Sequence, residues 1–174
     1  AGRPFIVVPA MPNIIPLSVD PPEHTPYRQL MNKYIRPNRI ENFKPHLRDF
    51  VVAELEPIIT AGSGDIAAGL AHRLPPYAVA LLMGLDDSML EQLNEAGVAL
   101  QSAPSTEAVN ELVVGLWGGM VADLVASRRA NPLNPETDLM SGVLASEIHG
   151  RTISDDEAIA IGVQIFGAGS DTTT

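Results

Sequence analysis

Apolar residues recur at three- and four-residue steps through Ile40, Phe43, Leu47, Phe50, Val51, Leu55 and Ile58. Lys44, Arg48, Asp49 and Glu54 fall mostly on the other side. That spacing predicts an amphipathic helix of about five turns, with one face buried. Ala61-Gly62-Ser63-Gly64 ends it. Upstream, residues 1–22 hold six prolines and read as loop, because each proline fixes φ and removes a backbone donor. Asp20-Pro21-Pro22-Glu23 then opens a short helix over about Pro22 to Tyr34, which Pro37 interrupts. Asp65 can cap a helix running to about Gly84, bent or broken at Pro75-Pro76. The half from Tyr77 to Leu85 is apolar on all sides and is expected to be deeply buried.

The remaining chain reads as helices separated by short loops. Ser88 to Glu91 has capping-box spacing and predicts a helix to about Leu100. A loop follows over Gln101 to Ser105, then a long helix from about Thr106 to Ala130, stopped by Asn131-Pro132. Asp138 to Glu147 is short and helical, and His149-Gly150-Arg151 is a turn that can join a single strand pair. Ser154-Asp155-Asp156-Glu157 is a second capping box and opens the last helix. Strands are otherwise scarce, and the chain reads as mainly α. Its 174 residues form one domain or part of one, with no internal repeat. The chain begins at Ala1 without an initiator Met and stops in Asp171-Thr172-Thr173-Thr174 without a helix stop signal. The expectation is therefore a single incomplete domain over 1–174, a piece of a longer protein.

Composition narrows the function classes. Eleven basic residues face 21 acidic ones, for a net charge of −10, which argues against a nucleic-acid partner because phosphate contact needs clustered Lys and Arg. With only Lys33 and Lys44 as lysines there is no polybasic membrane patch. Gly, Pro or charge breaks each apolar run before the roughly 20 residues of a spanning helix. No membrane partner and a cytoplasmic location are expected. Cysteine is absent, so this chain supplies no disulfide, thiolate nucleophile or thiolate haem ligand. His46, His72 and His149 are scattered and pair with no carboxylate at metal-ligand spacing, so no metal site is assigned. Trp117 and the methionines fall in helical patterns and read as core.

Two stretches could carry chemistry. In Asp20-Pro21-Pro22-Glu23-His24-Thr25-Pro26-Tyr27-Arg28, His24 and Arg28 are four residues apart and share a helix face. Such a donor pair suits a carboxylate or phosphate, although the same pattern fits a solvated helix start. In Gly167-Ala168-Gly169-Ser170-Asp171-Thr172-Thr173, small residues let another group approach the helix, and an acid followed by alcohols makes a short proton relay. Taken alone, that stretch fits a close helix crossing with a polar end somewhat better.

Together, and in this order, the two stretches resemble the cytochrome P-450 family of haem-thiolate monooxygenases. Asp20 to Arg28 is similar to its D-P-P-x-H-x-x-x-R stretch at the C helix. Ala168 to Thr173 is similar to the A/G-G-x-D/E-T-T stretch of its central I helix. Ile14 to Pro22 resembles the loop before the C helix in the bacterial, soluble, camphor-hydroxylase-like branch. Ala71 to Leu85 resembles the E helix, and Gly150 to Glu157 the start of the I helix. The resemblance implies a partial fold from the loop before helix C through helix I, lacking the N-terminal sheet region and the C-terminal haem-binding part. It implies haem b in the complete protein, with His24 and Arg28 donating to a propionate and Ala168 and Gly169 over the open haem face. Asp171 and Thr172 would deliver protons, and Ile14, Ile15, Leu17, Gln164 and Gly167 would border a small hydrophobic substrate. It further implies dioxygen and a ferredoxin-type electron donor as partners, the donor met in part by Lys33, Arg36 and Arg39. The iron's Cys ligand would lie outside this chain, which alone is expected to be inactive. The alternative from composition is a non-catalytic all-α module that binds a hydrophobic ligand or partner without haem.

Overall fold

A run of helices follows the loop that contains Ile14 to Val19, in a computed structural model that describes residues 14–170. Helix α1 spans His24–Asn32 and buries Tyr27, Leu30 and Met31. A short helix α2, Pro37–Ile40, leads through a 3₁₀ turn, Glu41–Phe43, into α3, Lys44–Ala61. Gly62 ends α3 at φ 72°, a left-handed value that costs glycine nothing sterically. The stripe predicted on this helix is present, but no residue of α3 is fully buried. Part of the stripe, Phe43 and Leu47, lines a cavity instead of meeting another helix. Phe50 stacks on Tyr77 with ring centroids 4.2 Å apart.

The predicted 65–84 helix is two pieces. A π-helical turn, Ala67–Ala71, precedes α4, Leu74–Met83, which carries Pro75 and Pro76 in its first turn. Proline belongs there because the first amides of a helix have no partner within it. Val79, Ala80 and Met83 are buried, whereas Ala78 and Leu82 are half-buried against the same cavity, so the expected deep burial holds for only part of α4. Helix α5 spans Asp87–Gln101. Its cap is Asp86 and not the predicted Ser88: the Asp86 carboxylate accepts from the Met89 amide at 2.9 Å and from the Ser88 hydroxyl at 2.8 Å.

Helix α6, Thr106–Leu112, a π-helical turn, Val113–Trp117, and α7, Gly118–Ala130, make one continuous rod. By length and composition Thr106–Ala130 could cross a membrane. An argument from uninterrupted apolar runs misses this, because isolated charges such as Asp123 break the runs without lowering the mean much. Here Val113, Trp117, Met120, Val121, Leu124 and Val125 are buried in the protein core, while about a third of the rod's most apolar stretch is covered. Helix α8, Leu139–Leu144, follows, then a two-residue antiparallel pair, β1 Glu147–Ile148 and β2 Arg151–Thr152. Helix α9, Asp155–Ser170, crosses α4 and α7 through the centre of the core. Gly162 permits the α7 crossing, since a Cβ there would overlap Val121 and lie 3.2 Å from Met140 Cε.

The start of α9 follows its sequence signature. The Ser154 hydroxyl accepts from the Glu157 amide at 3.2 Å, and Glu157 accepts from the Ser154 amide at 2.9 Å. Glu157 also receives both Arg151 amino groups, at 2.6 and 2.7 Å, and the Tyr27 hydroxyl. This ties α1 to α9. The Arg151 hydrogen bonds hold the Glu157 carboxyl far below its ordinary value of 4.5, against burial, with help from Tyr27 and Ser154. Burial, then Glu157, pushes the Tyr27 phenol up. A carboxyl lowered in the folded state contributes stability above its unfolded value, and that contribution is lost as pH falls. The urea midpoint is therefore expected to drop between about pH 5 and 3, and to drop less in Glu157→Gln. Parallel pH profiles for both proteins would show that Glu157 carries none of this dependence.

Candidate functional site

A cavity of about 490 Å³ lies among α1, α3, α4 and α9, within the size range of small-molecule sites. Its lining is apolar except for His24, Arg28 and Gln164. Helix α1 delivers His24 and Arg28 together because they are one turn apart. Neither side chain has a hydrogen bond or ion pair with another described residue. Helix α9 delivers Gln164, Ile165, Ala168 and Gly169, and the small size of the last two keeps the helix surface low there. Helix α4 supplies Ala78, Val79 and Leu82, and Leu17 closes part of the wall from the preceding loop.

The structure thus brings His24, Arg28, Leu17, Gln164, Ala168 and Gly169 to one cavity. It places the other expected substrate contacts elsewhere. Ile15 is 5% exposed in the core and Ile14 packs half-buried against it. Gly167 is turned to the Trp117 ring, where a Cβ would lie 3.2 Å from Cζ3. Asp171 and Thr172 lie outside the described residues. The α4 wall is absent from the sequence-derived site. Its signal was visible but read otherwise: a helix with no polar face, half of which borders a cavity instead of core.

Of the three basic residues expected at a partner surface, Lys33 and Arg36 are exposed. Arg39 is engaged within the fold. It donates to the Glu136 carbonyl and, at 2.9 Å, to the Thr137 carbonyl, and its guanidinium lies 5.5 Å from the Tyr34 ring centroid. Among the described residues no cluster of three or more His, Asp or Glu could hold a metal ion.

A cavity with largely apolar walls, Gln164, and two nitrogen donors that have no partner among the described residues suits a flat apolar group bearing carboxylates. Haem has that chemistry, and the donor set fits it.

No protein-family profile matches the chain. Erythromycin C-12 hydroxylase of Saccharopolyspora erythraea is 31% identical over 161 residues, covering 90% of this chain and 40% of that protein. Cytochrome P450 130 of Mycobacterium tuberculosis is 29% identical over 160 residues, covering 89% and 39%. The crystal structure of CYP101J2 superposes with a TM-score of 0.77 at 26% identity, covering 91% of this chain and 38% of that one. The fold is therefore that of a helical segment cut from a larger haem-protein architecture. The chain is similar to cytochromes P450 over nine-tenths of its length and matches part of their fold, and it spans about 40% of the length of the relatives it matches.

Proposed function

We propose that the chain forms part of a haem-dependent monooxygenase that hydroxylates a small hydrophobic molecule, using dioxygen and electrons from a ferredoxin-type donor. The observation that carries this reading is the meeting of His24 and Arg28 with Ala168 and Gly169 in one otherwise apolar cavity. His24 and Arg28 hold a haem carboxylate through charge-assisted hydrogen bonds. The bound haem supplies dioxygen activation, and its thiolate ligand comes from the rest of the polypeptide, since this chain contains no cysteine. Ala168 and Gly169 leave room beside the ring. Asp171 and Thr172, next along the chain, pass protons from solvent to the reacting oxygen. Leu17 and the apolar walls exclude water and favour a substrate without charge. Alone, without that ligand, the chain is inactive. Lys33 and Arg36 are the exposed cations for the donor to meet.

The test uses the complete polypeptide loaded with haem. Arg28→Ala and His24→Ala are each expected to speed haem loss to a scavenger roughly tenfold, the size of one charge-assisted hydrogen bond. Arg28→Lys is expected to recover part of that loss. Haem retention unchanged in both alanine variants would sink the propionate assignment. A complete protein that takes up no haem would favour a haem-free ligand-binding module.

A further inference from the structure

Val79 of α4 occupies an unusual place. It is 4% exposed, lines the cavity, and presses into the gap that Gly169 leaves on α9. A Cβ on Gly169 would overlap Val79 Cγ2 and lie 3.8 Å from Val79 Cβ. The knob is rigid, because a β-branched side chain in a helix is confined to essentially one χ1 rotamer. Its base is fixed as well: Pro75 and Pro76, one turn before it, are buried in the start of α4. The separation of α4 and α9 at this height is therefore set by one stiff side chain seated in one glycine notch. The adjoining residue, Ala168, lines the same cavity as His24 and Arg28.

We infer that Val79 is a positioning residue: seated in the Gly169 notch, it fixes the turn of α9 that carries Ala168 at the distance from α1 that the bound haem requires. The inference rests on the proposed haem site. It assigns to α4 a role in the site beyond a passive wall. It also predicts a reciprocal requirement. Gly169 tolerates a methyl group only if Val79 gives one up, since Val79→Ala frees about the volume that Gly169→Ala fills.

The experiment is a double-mutant cycle in the complete polypeptide, read by thermal unfolding and by haem affinity at a temperature where every variant is folded. Gly169→Ala is expected to lower the melting temperature by roughly 5 °C and haem affinity about tenfold. Val79→Ala/Gly169→Ala is expected to return both to near the wild-type values. Conservative Val79→Ile should retain haem affinity better than Val79→Ala. Additive effects in the cycle would show that the two residues are not seated together, and would overturn the inference. Coupled melting temperatures with haem affinity unchanged throughout would also overturn it, leaving a packing contact only. A wild-type protein that binds no haem would sink the functional reading itself and the inference with it, an outcome distinct from the other two.

Discussion

Replacing Asp138 with alanine is expected to lower stability by about 3–5 kcal/mol, or roughly 10 °C in melting temperature. The carboxylate has two duties. It caps α8 by accepting from the Ser141 amide at 2.7 Å, and it pairs with Arg128 Nε at 3.2 Å. The Asp138 side chain is 7% exposed and that of Arg128 13%, so removing the acid leaves a guanidinium with little water to replace its partner. Arg128 also donates to the Gly84 carbonyl at 3.0 Å, which brings the end of α4 into the same cluster. Loss of Asp138 thus loosens α4, α7 and α8 together. Asp138→Asn keeps an acceptor for the cap and should fall between wild type and alanine. The exposed pair Arg129–Asp155, 2.8 Å long with side chains 41% and 59% exposed, is the internal control. Asp155→Ala should cost below about 1 kcal/mol. Equal losses for Asp138→Ala and Asp155→Ala in urea titrations would refute the argument from burial.

Gly142→Ala is expected to cost about 3–4 kcal/mol, a large effect for one methyl group. Tyr34 is 5% exposed and its hydroxyl donates to the Pro135 carbonyl at 2.6 Å. A Cβ on Gly142 would coincide with that hydroxyl and lie 2.6 Å from the same carbonyl oxygen. The Pro135 backbone, which cannot rotate away as a side chain can, must shift, and the ring must leave. It would then surrender its burial, its hydrogen bond and its contact with Arg39. Shortening the ring in advance should relieve the larger part of the clash and leave the 2.6 Å approach to the Pro135 carbonyl: in a Tyr34→Leu background, Gly142→Ala should be milder but still costly. Equal costs in both backgrounds, by denaturant unfolding, would show that the ring is not the obstacle.

The helices were largely legible in the sequence because their signals are local. Caps, prolines and glycine stops marked α3, α8 and α9, and the Ser154–Glu157 box formed as spaced. Ser88 misled because Asp86, two residues earlier, offers an equally placed and charged acceptor, and spacing alone does not rank the two. What depended on tertiary contact was less accessible. The stripe on α3 gave the correct face but not its partner, since periodicity says which side is apolar and not what covers it. Tyr77 to Leu85 looked uniformly buried because a cavity wall and a core use the same residues. The His24–Arg28 pair and the Ala168–Gly169 step were recognisable separately, and the resemblance joined them. Val79 could not be found, because its role exists only through a glycine on another helix. Glu157 was visible as a cap, while its link to Tyr27 was not.

Helix α9 is held at three heights by three different parts of the chain: Glu157 by Tyr27 and Arg151, Gly162 by Val121, and Gly169 by Val79. A beam pinned at its foot, waist and shoulder can neither slide nor roll a little at one end. Because Tyr27 lies on α1, Val79 on α4 and Val121 on α7, the same beam ties three walls of the chamber to one another.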